Sequence, residues 1–140
     1  MRDMDAAEVR AFLSFGARTA KVATVSPKGK PHVAPVWFVI DGDDLVFITT
    51  ATSAKGRHLK ANPRAAVAVD DDTFPYAFVV ANGRVTLDEE PPDRLQWATR
   101  IASRYVPERA DEFGARNDAL GEMLVRLHLE RVFGQADLAL

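Results

Sequence analysis

Two apolar runs, His32–Ile40 (HVAPVWFVI) and Leu45–Thr50 (LVFITT), are separated only by the four residues DGDD. So short a link sends the second run back alongside the first, because a parallel return needs a crossover of a dozen or more residues. A third run, Ala20–Ser26, precedes them across Ser26-Pro27-Lys28-Gly29, which offers hairpin chemistry. The three runs predict an antiparallel meander. Pro35 has no N–H for a ladder, so it is expected at a bulge or facing outward on an edge.

The rest of the chain extends this pattern. Asp5 with Glu8 three residues on reads as a capping box opening a short helix. Val9, Phe12 and Leu13 form its inner face, and Gly16 ends it. Strands are expected at Ala65–Asp70 and Tyr76–Leu87, the latter with an irregularity at Gly83. Pro91-Pro92 start a helix in which Leu95, Ala98, Ile101, Ala102 and Tyr105 recur at helical spacing. Pro107–Asp118 reads as a polar stretch. MLVRLHLERVF then alternates, with Met123, Val125, Leu127 and Leu129 on one face, and predicts a sixth strand. The expected fold is mostly β (α+β): one domain over residues 1–140, a six-stranded antiparallel barrel with short flanking helices.

Composition removes several chemistries. Without cysteine there are no thiolate nucleophiles, disulfides or cysteine-bound clusters, and the three scattered histidines lack metal-ligand spacing. No metal site is expected. No apolar run approaches the roughly 20 residues that span a bilayer, and the N-terminus lacks a signal-peptide core, so a cytoplasmic protein with no membrane partner is expected. There is no GxSxG, Walker loop, GxGxxG or HExxH. If the chain is an enzyme, the reactive atoms belong to a bound cofactor, and no catalytic side chain is assigned.

One segment does carry a directional argument. From Leu45 to Val69 there is no acid, while Lys55, Arg57, Lys60 and Arg64 give a charge of +4. The whole chain carries −2, so the remainder carries −6. Thr52 or Ser53 can cap a helix whose first turn is Ala54–Arg57, and Asn62-Pro63 stops it. Lys55 and Arg57 then lie at the positive end of the helix dipole, where an anion is the natural complement. The residues alone leave two readings open: an anion site, or a solvated basic helix with nothing bound. Nucleic acid is not expected as a partner, since the sequence pI is about 5.9 and the surplus negatives lie elsewhere.

The order PxGxPHVAPVWFV…DGDDLVFITTATSAKGRHLKANPRAAVAVD resembles the split-barrel flavoprotein superfamily named after pyridoxamine 5'-phosphate oxidase. More narrowly, it is similar to the actinobacterial branch that uses coenzyme F420, a deazaflavin. The resemblance runs from about Thr19 to Leu87 and implies a homodimer of FMN-binding-type split β-barrels with two cofactor sites at the interface. By that resemblance, Lys55 and Arg57 match the phosphate-binding cations. Thr49, Thr50 and Ser53 match the strand end and cap that contact phosphate and ribityl chain. His32, Pro35, Val36 and Trp37 lie on the strand that flanks the ring, and Phe74 and Pro75 are candidates to lean on the partner's cofactor.

Two departures qualify what is implied. The ending GQADLAL lacks the substrate-binding run of true pyridoxamine-phosphate oxidases, so that activity is not expected. Ser53 stands where some deazaflavin-binding relatives place another arginine. Lys60 and Arg64 extend the positive track, and F420 carries a longer anionic tail than FMN. F420 is therefore the expected cofactor, with FMN as the alternative. The expected activity is an F420H2-dependent reductase acting on a small conjugated or oxidised molecule; an F420 or FMN carrier or sensor is the reading outside catalysis.

Overall fold

The computed structural model describes residues 1–140, which form nine strands and four α-helices. The strands are β1 (Arg2–Asp3), β2 (Ala20–Val25), β3 (Pro31–Val36), β4 (Val39–Asp41) and β5 (Asp44–Thr49), then β6 (Arg64–Asp71), β7 (Ala77–Asp88), β8 (Met123–His128) and β9 (Arg131–Ala136). The helices are α1 (Ala6–Ser14), α2 (Ala54–Ala61), α3 (Arg94–Tyr105) and α4 (Ala110–Ala119), with a 3-10 turn at Pro107–Arg109. All pairings are antiparallel. One part of the sheet runs β3-β2-β6-β7-β9-β1 and the other runs β7-β8-β5-β4, with β7 shared. This is a split barrel, with nine strands where six were expected.

One of the three extra strands is the two-residue β1 beside β9, and the other two come from runs that change sheet partway. HVAPVWFVI was expected as one strand, yet it breaks at Trp37-Phe38: β3 pairs with β2, while β4 pairs with β5. At the break the backbone polar groups of Phe38 lose their ladder and would be costly if unpaired. Helix α3 supplies partners instead. The Phe38 N–H donates to the Tyr105 hydroxyl (3.1 Å), and its carbonyl accepts from Arg104 Nη1 (2.8 Å). The expected three-stranded meander is therefore two hairpins in two parts of the sheet. Pro35 sits, as expected, on an edge strand.

A second run splits in the same way. MLVRLHLERVF becomes β8 and β9, both lying along one long β7. Val85 faces Leu127 but Asn82 faces Arg131, so three residues of one side oppose two of the other. That is a β-bulge, and it bends the chain from one part of the sheet into the other. Gly83 lies at this crossing, where a Cβ would stand 1.8 Å from the His128 carbonyl oxygen. The irregularity expected there and the unexpected end of β8 are one feature.

The core explains the apolar runs. Leu45 and Phe47 of β5 point into the barrel with Val22, Phe38, Val67, Val79 and Val125, while Val46 points the other way, beneath Ile101 of α3. Because both faces are covered, LVFITT does not alternate. Leu13 of α1 and Leu59 of α2 pack into the same core. The capping box of α1 forms as read, with Asp5 accepting from the Glu8 N–H and Glu8 accepting from the Asp5 N–H. Helix α3 begins at Arg94, two residues beyond the prolines expected to open it. The polar stretch Pro107–Asp118 is largely helix α4. It packs on α3 through Gly114, whose Cβ would meet Thr99 Oγ1 at 2.2 Å, so close backbone approach replaces the apolar stripe that would have marked it. No helix is long and apolar enough to cross a membrane.

Candidate cofactor site

Strand β5 ends at Thr49, and the chain turns through Thr50–Ser53 into α2. Ser53 is the N-cap, and its hydroxyl does three things. It accepts from the Gly56 N–H (3.0 Å), donates to the Thr50 carbonyl (2.9 Å) and meets the buried Thr49 hydroxyl (2.9 Å). The serine thus welds the strand end to the helix start. The Arg57 N–H bonds the Ser53 carbonyl, which leaves the amides of Ala54 and Lys55 without partners in the chain. Two free N–H groups at the positive end of a helix are what an oxyanion needs. Replacing Ser53 with Ala should cost about 1–2 kcal/mol, read as a lower urea midpoint at unchanged slope.

The four cations divide between the two ends of α2. Lys55 is half-buried in the first turn; Arg57 is exposed and folds back so that Nη1 donates to the Thr52 carbonyl, 2.5 Å away. Both stand at the end with the free amides, and no acid occupies that turn. The donors present therefore fit a phosphate group. Lys60 belongs to the far end and is already paired with Glu89 (2.9 Å). Arg64 opens β6 and is exposed at a cleft of about 340 Å³ between Asn62, Asn82 and the outer face of β2. An eight-residue helix is about 12 Å long, so these cations form two stations and not one continuous strip.

Strand alternation also separates the residues expected to flank a ring. His32 and Val36 point inward, while Pro35 points outward. Val36 is packed in the core, and Trp37 stacks on Tyr105 (centroids 4.9 Å apart, planes 6° from parallel) and approaches Phe113. His32 lies under α2, its ring edge-on to His58 at 5.7 Å and its buried Nδ1 without a partner. His58 itself bonds Thr24 Oγ1 (2.9 Å). Phe74 and Pro75 follow β6, whose eight residues span roughly 25 Å, so they stand at the opposite end of that strand from α2. Phe74 is 63% exposed and packs only edgewise on Tyr76.

Two groups at the site carry no signal in the local sequence. His58 stood inside the basic segment but reads there as a surface residue of a basic helix. Glu122 comes from the turn between α4 and β8. The register Thr49↔Met123 carries it to the level of Thr50, beside the start of α2. Burial pushes its carboxyl above the ordinary carboxylate range, and the charge of Lys55 opposes that rise.

The fold is thus a split barrel whose strand end is welded to a helix start with two unpartnered amides. The chain belongs to the pyridoxamine 5'-phosphate oxidase family, whose model matches residues 6–136. Heme oxygenase HutZ of Vibrio cholerae serotype O1 is 24% identical over 128 residues, 85% of this chain and 72% of that protein. Among solved structures, conserved hypothetical protein Rv2991 from Mycobacterium tuberculosis superposes with a TM-score of 0.81 at 24% identity, covering 96% of this chain and 86% of that one. An F420 reductase superposes with a TM-score of 0.68 at 25% identity, covering 87% and 94%.

Proposed function

We propose that the chain binds a flavin-type cofactor by its phosphate at the start of α2 and works as an oxidoreductase. The observation that carries this reading is the pair of unpartnered amides of Ala54 and Lys55, set beside the Lys55 and Arg57 side chains with no carboxylate in that turn. When bound, such a cofactor supplies hydride chemistry. The chain's own residues hold the phosphate (Lys55, Arg57 and the two amides), fix the helix start (Ser53, Thr49) and fill the space beneath it (His32, His58). Hydride transfer depends on stacking geometry more than on an acid–base pair, which agrees with the lack of an evident catalytic dyad.

F420 is the first reading, with a small conjugated or oxidised molecule as substrate, and the likeness to an F420 reductase supports it. FMN is the second reading. The Lys60–Glu89 pair favours it, because a longer anionic tail would find only Arg64 unpaired beyond the first turn. Titration of the protein with F420 and with FMN, followed by fluorescence, separates them: tight FMN binding with no F420 binding rejects the first reading. Steady-state oxidation of F420H2 by quinones and enones then separates an enzyme from a carrier.

A second copy of the chain completes the arrangement. On the outer face of β3-β2-β6-β7-β9, Val33, Ala23 and Ala66 lie side by side in one row and Ala68, Val80 and Phe133 in the next, with Val33 65% and Phe133 48% exposed. Exposed apolar side chains grouped on a sheet face support an interface there, and in a homodimer one copy's Phe74 would contact the other's cofactor. Sedimentation at micromolar concentration tests it; a monomer there sinks the pairing.

A further inference from the structure

Arg94 of α3 is a hub with a side chain only 14% exposed. Its Nε donates to the Glu122 carbonyl (2.7 Å). Nη2 reaches the Glu89 carbonyl (3.2 Å) and the Glu90 carboxylate (3.1 Å), while Nη1 lies 4.0 Å from Asp118. One guanidinium therefore gathers the turn after β7 and the turn before β8. The two turns set carboxylates against α2: Glu89 on Lys60, and half-buried Glu122 at the level of Thr50, next to Lys55. The charge that acts on the Glu122 carboxyl is that of Lys55 from α2, while Arg94 from α3 holds the Glu122 backbone carbonyl and faces Asp118 of α4. Only Lys55 also belongs to the phosphate station.

We propose that Glu122 is a specificity-determining residue of this anion site, a counter-charge that shares Lys55 with the bound anion and takes up one proton from solvent when the anion arrives. An anion beside a carboxylate disfavours its charged form, while Lys55 can neutralise only one of the two. Burial already biases the Glu122 carboxyl towards its neutral form, so a bound anion and a falling pH act in the same direction on it. Once Glu122 is neutral the anion meets no opposing charge. While the carboxylate stays ionised it weakens anion binding. The site thereby ties cofactor retention to pH and disfavours extra negative charge at this position. This inference rests on the cofactor reading above.

The test is the affinity of wild type and of Glu122→Gln for FMN and for F420 between pH 5 and pH 8, by fluorescence, with inorganic pyrophosphate titrated in parallel by calorimetry. Taking the ratio of the two proteins at each pH cancels the ligand's own titration. The expected result is a variant that binds about fivefold more tightly at pH 8, with the advantage shrinking as the pH falls. Glu122→Asp, which keeps the charge, should retain the pH trend. A ratio near one at all pH values overturns the proposal, as does a variant that binds more weakly while melting like wild type. Should the cofactors fail to bind while pyrophosphate shows the Glu122-dependent ratio, the cofactor reading falls and this one stands. If no ligand binds, both fall.

Discussion

Cofactor affinity should fall by roughly 10²- to 10⁴-fold when Lys55 and Arg57 are both replaced by Ala, with each charged donor worth about 1.5–3 kcal/mol to an oxyanion. The two side chains stand at the same end of α2 as the free amides of Ala54 and Lys55, so the anion loses its charged contacts and keeps only backbone donors. Stability should change far less, by about 1 kcal/mol at most, because two cations leave the positive end of a helix dipole and no side-chain ion pair is broken. Fluorescence titration together with urea unfolding reads both quantities. A loss of affinity below tenfold, with the fold intact, would move the phosphate away from this helix. Lys60→Ala makes the contrast. Lys60 is held by Glu89 at the other end of α2, so its removal should barely change FMN affinity, and a clear loss confined to F420 would place the longer tail there.

Gly83→Ala should destabilise the fold by about 3–5 kcal/mol, lowering the melting temperature by roughly 10–17 °C in a chain of this size. The added Cβ would sit 1.8 Å from the His128 carbonyl oxygen and 3.1 Å from its carbon. Both are backbone atoms and cannot swing aside. They belong to the bulge where β8 gives way to β9 along β7, so relieving the clash means parting the strands that join the two parts of the barrel. Calorimetric melting of the variant measures the effect, and a shift under about 3 °C would show that the crossing yields more easily than its geometry implies. Cofactor affinity should survive wherever the variant is folded, because Gly83 contributes nothing to the start of α2.

Local chemistry made several features legible. The capping box of α1, the Ser53 cap and the Asn62-Pro63 stop of α2 each depend on residues within one turn of one another. A nearest-neighbour pattern reads such features directly. Strand existence was also legible, since β2, β5, β6 and β7 lie within a few residues of the runs that marked them. Strand continuity was not. HVAPVWFVI and MLVRLHLERVF are unbroken as patterns, and they break because partners distant in sequence change: Tyr105 and Arg104 take over the polar groups of Phe38, and β7 crosses at Gly83. Helix α4 escaped notice for a related reason, as its contact with α3 is made by a glycine and not by an apolar stripe.

The candidate site divides along the same line. The amino-acid sequence by itself determined that one acid-free segment holds Lys55 and Arg57 in the first turn of a capped helix, because charge and capping are properties of adjacent residues. Only the tertiary structure decided which carboxylates the cations meet. Glu89 lies 29 residues beyond Lys60, and Glu122 lies 67 beyond Lys55. Arg94, by gathering two turns, brings both carboxylates to α2. Electrostatics acts through space, so the fold and not the charge run decides which carboxylate each cation of α2 meets.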